Sequence, residues 1–184
     1  PQAAIERVRQ CYVRFEPEDY VLKKCWLFSN HCRFPEGGSS RGRERENMIN
    51  KARITAVEEI FDMGGLPMLL ELAYKVEDGY CLGWALSQSS VIDIHETLLL
   101  SQCLGSTDTV RRDVFAGLLN GRAAAKGQGW LEGLGSSEIW KKWSLQQRAD
   151  YYMLLPFIQS TCDALENESV EIRSLYWLNV SING

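Results

Sequence analysis

The chain contains 184 residues, of which 45% are hydrophobic and 24% are charged, and its 20 Lys and Arg against 24 Asp and Glu give a formal net charge of −4. The length suits one domain or slightly more, at roughly 150 residues per domain, and the composition excludes bulk disorder, collagen and coiled-coil rods. No apolar run reaches the roughly 18–20 residues that span a bilayer, and no signal-peptide pattern is present, so we expect no membrane partner. Because Pro1 replaces an initiator Met, we expect the chain to be a piece of a longer polypeptide.

The charge distribution disfavours general nucleic-acid binding, because such proteins need a basic face that displaces phosphate counterions. The densest basic stretch contains Arg41, Arg43 and Arg45, but Glu44 interrupts it. This pattern is typical of a solvated segment whose charges compensate one another. Nucleic-acid binding through residues 41–53 is kept as an alternative.

The cysteines are spread irregularly along the chain, at Cys11, Cys25, Cys32, Cys81, Cys103 and Cys162. A small secreted scaffold would be denser in cysteine. We therefore expect reduced thiols and a cytoplasmic location.

The amino-terminal part has a different pattern from the rest of the chain. Helices are predicted over residues 2–14 and 18–28, and glycine, proline and serine then predict a flexible loop over 36–45. We expect an N-terminal helical segment at 1–35 and a helical-repeat domain at 46–184.

Residues 46–63 give the clearest helical pattern. Ile49, Ala52, Ala56 and Ile60 recur at steps of three or four, which is the spacing of one apolar helix face. Gly64-Gly65 predicts the end of this helix, because glycine takes the left-handed conformation that closes the last turn. Pro67 then suits the first turn of the next helix.

The remaining chain repeats this pattern of a helix, a stop and another helix. Further helices are predicted over residues 91–104, 108–125, 145–155, 157–166 and 168–178. Gly117 and Gly121, four residues apart, predict the close approach of a neighbouring helix. Ser144 and Gln147 match a capping box.

We predict an all-α fold, because no segment alternates strictly between apolar and polar residues. The helices have wide apolar arcs and are too short to be stable alone, so each needs neighbours on two sides. This favours antiparallel helical hairpins stacked as a short α-solenoid, with a closed helical bundle as the alternative.

Two stretches resemble helical-repeat families. The run Gly64-Gly65-Leu66-Pro67-Met68-Leu69-Leu70-Glu71-Leu72 resembles the start of an armadillo-type helix. Lys24-Cys25-Trp26-Leu27-Phe28-Ser29-Asn30-His31, Phe34-Pro35-Glu36-Gly37 and Tyr176-Trp177 are similar to helical-repeat regions of large bacterial multidomain proteins, some linked to NTPase modules and suspected in phage defence. The resemblance implies a scaffold or sensor segment, with any catalytic domain outside these residues.

The histidines and cysteines do not form a recognisable site. His31 with Cys25 and Cys32 lacks the paired spacing of zinc ligands. A Cys32 or Cys103 nucleophile with His95 as its base is formally possible, but the helical neighbours of His95 are apolar. We assign no catalytic, metal or cofactor-binding residues and expect no cofactor.

The tryptophans divide into two groups. Trp26, Trp84 and Trp177 have apolar neighbours in the sequence, which predicts that they lie in the core. The second group surrounds a lysine pair in a glycine-broken region and consists of Trp130, Trp140, Lys141, Lys142 and Trp143. This second group is either an exposed interaction surface, because Trp is common in binding hot spots, or it packs beneath a loop.

These observations favour a non-catalytic protein-interaction or sensing scaffold within a larger bacterial protein. Its expected partner is another protein or another domain of the same polypeptide. A small helical enzyme with a Cys/His site is the alternative from a different class.

Overall fold

The computed structural model describes residues 2–29, 32, 42–103, 108–135 and 137–180, and every regular element in these ranges is a helix. The all-α prediction is confirmed for these residues. Of the predicted loop at 36–45, residues 36–41 lie outside the described ranges and residues 43–45 form the first turn of a helix. None of the helices in the described ranges is both long and apolar enough to cross a bilayer.

The described ranges contain eleven α-helices and one 3₁₀ turn. They are α1 (Gln2–Phe15), α2 (Tyr20–Cys25), α3 (Arg43–Lys75), α4 (Gly79–Ser87), α5 (Ser90–Cys103), α6 (Thr109–Lys126), α7 (Gln128–Gly135), α8 (Glu138–Lys142), α9 (Leu145–Leu154), α10 (Gln159–Glu166) and α11 (Val170–Asn179). A 3₁₀ turn (Trp26–Phe28) extends α2.

The segment that contains α2 and the 3₁₀ turn shares a core with the rest of the molecule. Phe28 is fully buried in the main apolar cluster, and its carbonyl accepts a hydrogen bond from the Asp78 amide at 3.0 Å. The Arg53 Nε of α3 donates to the Leu27 carbonyl at 2.7 Å. The Arg53 bond holds the α2 segment against α3, and the Asp78 bond holds it against the start of α4.

Helix α3 has a break where the glycine pair stands. Gly65 has φ +63° and ψ −153°, outside the helical region, and Pro67 follows in the first turn of the second half. The predicted stop and restart are confirmed, although no loop separates the two halves. Only glycine adopts this backbone conformation without strain.

Helices α4 and α6 form the closest pair among the described elements, and glycine permits their approach. A Cβ atom at Gly117 would lie 2.0 Å from the Tyr80 carbonyl oxygen, and one at Gly83 would lie 1.8 Å from the Val114 carbonyl oxygen. A Cβ atom at Gly121 would lie 1.9 Å from the Ser87 hydroxyl. The predicted role of Gly117 and Gly121 is confirmed.

The carboxy-terminal helices pack through α9 and α11. The predicted capping box is present at the start of α9, where Ser144 and Gln147 each accept a hydrogen bond from the other's backbone amide. Ile172 and Tyr176 of α11 are buried against this unit.

Candidate functional site

An open groove of about 680 Å³ runs between the α2 segment and the first half of α3. Its position follows from the anchors at Leu27 and Phe28, which hold the α2 segment against α3 and the start of α4. The groove is lined by Glu16, Tyr20, Lys23, Lys24, Trp26, Leu27, Met48, Lys51, Ala52 and Thr55. It therefore combines aromatic and aliphatic surface with a predominance of positive charge.

One wall of the groove is held by a polar network between α2 and α3. The Tyr20 hydroxyl donates to Glu59 Oε2 at 2.5 Å, and Lys24 Nζ lies 2.8 Å from the same oxygen. Hydrogen bonds from Lys24 and Tyr20 lower the pKa of Glu59, and the bond to Glu59 raises the pKa of Tyr20. Through these contacts with Glu59, Tyr20 and Lys24 hold α2 in place against α3.

The exposed residues that line the groove are Glu16, Trp26, Met48, Lys51 and Thr55. Lys23 lies 3.6 Å from Glu16, a distance typical of a loose surface ion pair. Lys51 has no carboxylate partner among the described residues. A ligand in the groove would therefore contact an indole, a thioether and a free ammonium group.

The two central tryptophans of the predicted interaction surface are buried. Trp140 is 8% exposed and Trp143 is 5% exposed. Their rings pack with each other at 5.3 Å between centroids, and Trp140 contacts Tyr151 edge-on at 5.1 Å. These two indoles pack beneath the surface, which is the second of the two alternatives that the sequence left open.

The rest of the predicted surface is accessible. Lys141 and Lys142 are exposed, and Lys141 lies 2.5 Å from Glu138 of the same helix. Trp130 is partly buried, with Lys126 Nζ 5.9 Å from its ring centroid. An interaction surface at this place stays a prediction, carried by the lysines and Trp130.

The predicted burial of two other tryptophans is wrong. Trp177 is 50% exposed, and Trp26 is exposed beside the groove, while Trp84 is partly buried. Both exposed residues have a fully or largely buried neighbour in the sequence, Phe28 near Trp26 and Tyr176 beside Trp177. Apolar neighbours in the sequence point to different sides of a helix, so they do not determine the side on which a given tryptophan lies.

The surroundings of His95 indicate a packing role for its side chain. Its ring packs against Phe61 at 4.8 Å between centroids, and the backbone at His95 leaves the helical region (φ −117°, ψ 15°). Glu96 turns to α6, where its Oε1 lies 3.0 Å from Arg122 Nε and 3.2 Å from Lys126 Nζ. The side chain of Cys103 and all of His31 lie outside what the structure describes.

Cys32 and Cys81 are poor candidates for a nucleophile. Burial raises the pKa of Cys32, against a smaller opposing effect of Arg53 and Arg45. Burial also raises the pKa of Cys81, together with the hydrogen bond from its Sγ to Asp78 at 3.2 Å. A raised pKa lowers the thiolate fraction, which is the reactive form.

The basic stretch at 41–53 is partly used for internal contacts. Arg53 bonds the Leu27 carbonyl, and Arg45 Nη2 donates to the Cys32 carbonyl at 3.3 Å. Arg41 lies outside the described ranges. In the described part of the chain, no cluster of His, Cys, Asp and Glu is arranged to hold a metal ion.

The groove was not predicted from the sequence. A signal was present, since Met48, Lys51, Ala52 and Thr55 follow helical spacing on one side of α3. That signal does not show which other helix faces this side. Comparison with known proteins found no matching protein-family model, no matching curated protein and no matching solved structure.

Proposed function

We propose that this chain is a protein-interaction segment whose α2–α3 groove receives an acidic, partly apolar segment of a protein partner or of another domain of the same polypeptide. The groove is the observation that carries the proposal. It is open, it is large enough for several side chains at about 680 Å³, and it combines exposed apolar surface with Lys51.

The chemistry of the groove defines the occupant. Trp26 offers a broad apolar face, and tryptophan is enriched among residues that dominate binding energy. Met48 is flexible and polarizable, which suits varied apolar side chains. Lys51 attracts carboxylates and disfavours basic segments, and Lys23, which also lines the groove 3.6 Å from Glu16, adds to the positive charge.

The scaffold role also includes an architectural proposal. Helices that are adjacent or next but one in the chain pack on one another, as in α2–α3, α3–α4, α4–α6 and α9–α11, and this packing suits a short α-solenoid within a longer helical array as well as a closed helical bundle. The resemblance to helical-repeat regions supports a bacterial, cytoplasmic setting and a catalytic module elsewhere in the polypeptide.

A peptide-display selection on the immobilised chain tests the groove. We expect recovered peptides to combine Asp or Glu with Leu, Phe or Trp, and to bind the purified chain in a fluorescence-polarisation titration. Lys51→Glu and Met48→Asp should each weaken this binding at least ten-fold, because the first reverses the recognised charge and the second removes apolar contact.

Two matched variants serve as controls. Lys142→Glu makes the same charge change at another exposed helical lysine, and Met63→Asp makes the same change at another exposed methionine of α3. Both should leave binding unchanged. Recovery of peptides that show no preference for Asp or Glu would refute the groove as the binding site. So would a result in which Lys142→Glu abolishes peptide binding and Lys51→Glu does not.

A further inference from the structure

A second cavity, of about 280 Å³, lies between α7, α9 and α10. Its volume is near the lower end of the range for small-molecule sites, which is roughly 300–1,000 Å³. The residues that line it include Glu132, Tyr151, Tyr152, Leu155, Ser160 and Thr161. None of its described lining residues lines the α2–α3 groove, so the cavity is a separate candidate for a binding site.

Two buried tyrosines of α9 fix the walls of this cavity. The Tyr151 hydroxyl donates to the Leu131 carbonyl at 2.7 Å, which joins α9 to α7. The Tyr152 hydroxyl donates to Glu168 Oε1 at 3.0 Å, just before the N-cap of α11. The two rings meet edge-on at 5.5 Å between centroids. Because both hydroxyls already have partners, the polar contacts with a ligand are left to other residues of the lining.

Glu132 gives the cavity a negative charge. Its carboxylate is the only charged group among the described residues of the lining. It forms no ion pair with any residue that the structure describes. Burial raises the pKa of Tyr151, and the charge of Glu132 adds to this effect, so the carboxylate acts on the tyrosine wall. A cation in the cavity would therefore meet an unneutralised carboxylate.

Two adjacent hydroxyls of α10 add hydrogen-bonding capacity. Thr161 lines the cavity and is only 5% exposed, yet its hydroxyl has no hydrogen-bond partner in the described part of the chain. Most buried polar side-chain atoms have such a partner, so this hydroxyl is available to a molecule in the cavity. The hydroxyl of Ser160, which is exposed, likewise makes no bond to a described residue. Both oxygens can accept from an N–H group.

The start of α10 does not reverse this preference for a cation. A helix N-terminus attracts anions through its free amides, with a partial charge of roughly half a unit. Here the amides of Thr161 and Cys162 both donate to the Ile158 carbonyl, at 3.0 and 3.1 Å. The full negative charge of Glu132 therefore outweighs the helix terminus.

We propose that this cavity binds a small organic molecule that carries a primary ammonium group. The ammonium donates hydrogen bonds to the Glu132 carboxylate and to the hydroxyls of Ser160 and Thr161. The apolar part of the molecule packs on the tyrosine pair and Leu155, and aromatic rings also attract cations. This site goes beyond the function proposed for the groove and does not depend on it.

A titration of the ¹⁵N-labelled chain, followed by NMR, tests the proposal with probes of matched shape. Benzylammonium, benzyl alcohol and benzoate differ mainly in charge. We expect benzylammonium to shift the amide signals of residues 131–135, 151–155 and 160–164 and to bind at least about five-fold more tightly than benzyl alcohol. Benzoate should not bind. Benzyltrimethylammonium, which has no N–H donor, should bind more weakly than benzylammonium.

Variants of the lining separate recognition from folding. Glu132→Gln, at an exposed position, should weaken benzylammonium binding at least about five-fold and leave benzyl alcohol binding unchanged. Thr161→Val should also weaken benzylammonium binding, whereas Thr161→Ser, which keeps the hydroxyl, should preserve it. Glu138→Gln makes the matched charge change at an exposed glutamate of α8 outside the lining and should have no effect. Lys51→Glu should have none either, which separates this site from the groove.

Several outcomes overturn the proposal. Absence of benzylammonium binding up to about 10 mM, or signal shifts confined to other parts of the chain, shows that the cavity takes no ammonium ligand. Equal binding of benzyl alcohol or benzoate, or unchanged affinity of Glu132→Gln, shows that the carboxylate does not select the ligand. Benzyltrimethylammonium that binds as tightly as benzylammonium excludes recognition through N–H donors.

Discussion

Tyr151 illustrates how burial changes the chemistry of a single side chain in this molecule. Its hydroxyl donates to the Leu131 carbonyl at 2.7 Å within the aromatic cluster of Trp140 and Trp143. Burial raises the pKa of Tyr151 from 10.0 to about 12, with Glu132 adding to the effect. The folded state therefore keeps this tyrosine protonated at pH values where the unfolded chain ionises it.

We expect the free energy of unfolding to fall as the pH rises from 10 to 12. Between pH 10 and pH 12 the unfolded state binds fewer protons than the folded state, so the free energy of unfolding decreases with pH. The contribution of Tyr151 is on the order of 1 kcal/mol per pH unit. Urea unfolding on either side of pH 10 measures the slope. Tyr151→Phe should have a shallower slope, and an identical slope would contradict the account.

Thiol reactivity is a second property set at the residue scale. Cys11 is exposed on α1, while burial raises the pKa of Cys32 and Cys81. Because alkylation proceeds through the thiolate, we expect iodoacetamide to modify Cys11 at least roughly ten-fold faster than Cys32 or Cys81. Peptide mass spectrometry over a time course measures the order. Fast modification of Cys32 would favour the enzyme hypothesis.

The tryptophans show where sequence reasoning fails at this scale. Trp140 and Trp177 both stand in helices beside apolar residues, yet the first is buried and the second is half exposed. The difference depends on which helix covers each face, and that is a tertiary property. The charged Lys141 and Lys142 do not prevent the burial of Trp140, because successive side chains point to different sides of a helix.

At the scale of elements, the close packing of α4 against α6 depends on three glycines, Gly83, Gly117 and Gly121. Gly117→Ala places a methyl group about where the Tyr80 carbonyl lies, and a backbone atom cannot move aside cheaply. A Cβ atom 2.0 Å from a backbone oxygen places the overpacking cost at about 3 kcal/mol, so after the roughly 1 kcal/mol that alanine gains in helix propensity we expect a net destabilisation of about 2 kcal/mol. Chemical denaturation of the purified variant measures the change.

Gly133→Ala provides the matched control for this substitution. Gly133 also lies in a helix, α7, but no atom stands within 4 Å of the position its Cβ would take. Only helix propensity acts there, so we expect stabilisation by about 0.4–1 kcal/mol. Equal effects of the two substitutions would show that close helix packing does not explain the glycine at 117.

Elements were predictable where local chemistry determines them. The capping box of Ser144 and Gln147, the break at Gly65 and the close approach at Gly117 each follow from one or two residues whose conformational or steric properties are specific. The kink at His95 was not predicted, because no proline or glycine stands there.

At the scale of the whole molecule, the surfaces were the least predictable feature. The α2–α3 groove depends on hydrogen bonds to the segment around Phe28 from Arg53 of α3 and from Asp78 at the start of α4, residues that are far from this segment in the sequence. On α11 likewise, the sequence does not show that Tyr176 is buried while its neighbour Trp177 is exposed. Helical periodicity identifies an apolar face, but it does not show whether another helix covers that face.

The central claim is that this assembly of short helices acts by offering a groove to a partner segment. Hydrogen–deuterium exchange of the chain, with and without an acidic-apolar peptide from the display selection, tests this claim most directly. The account predicts slower exchange confined to residues 20–28 and 46–56, the two walls of the groove. Slower exchange around Trp130 and Lys142, or around His95, with no change at the groove would contradict it.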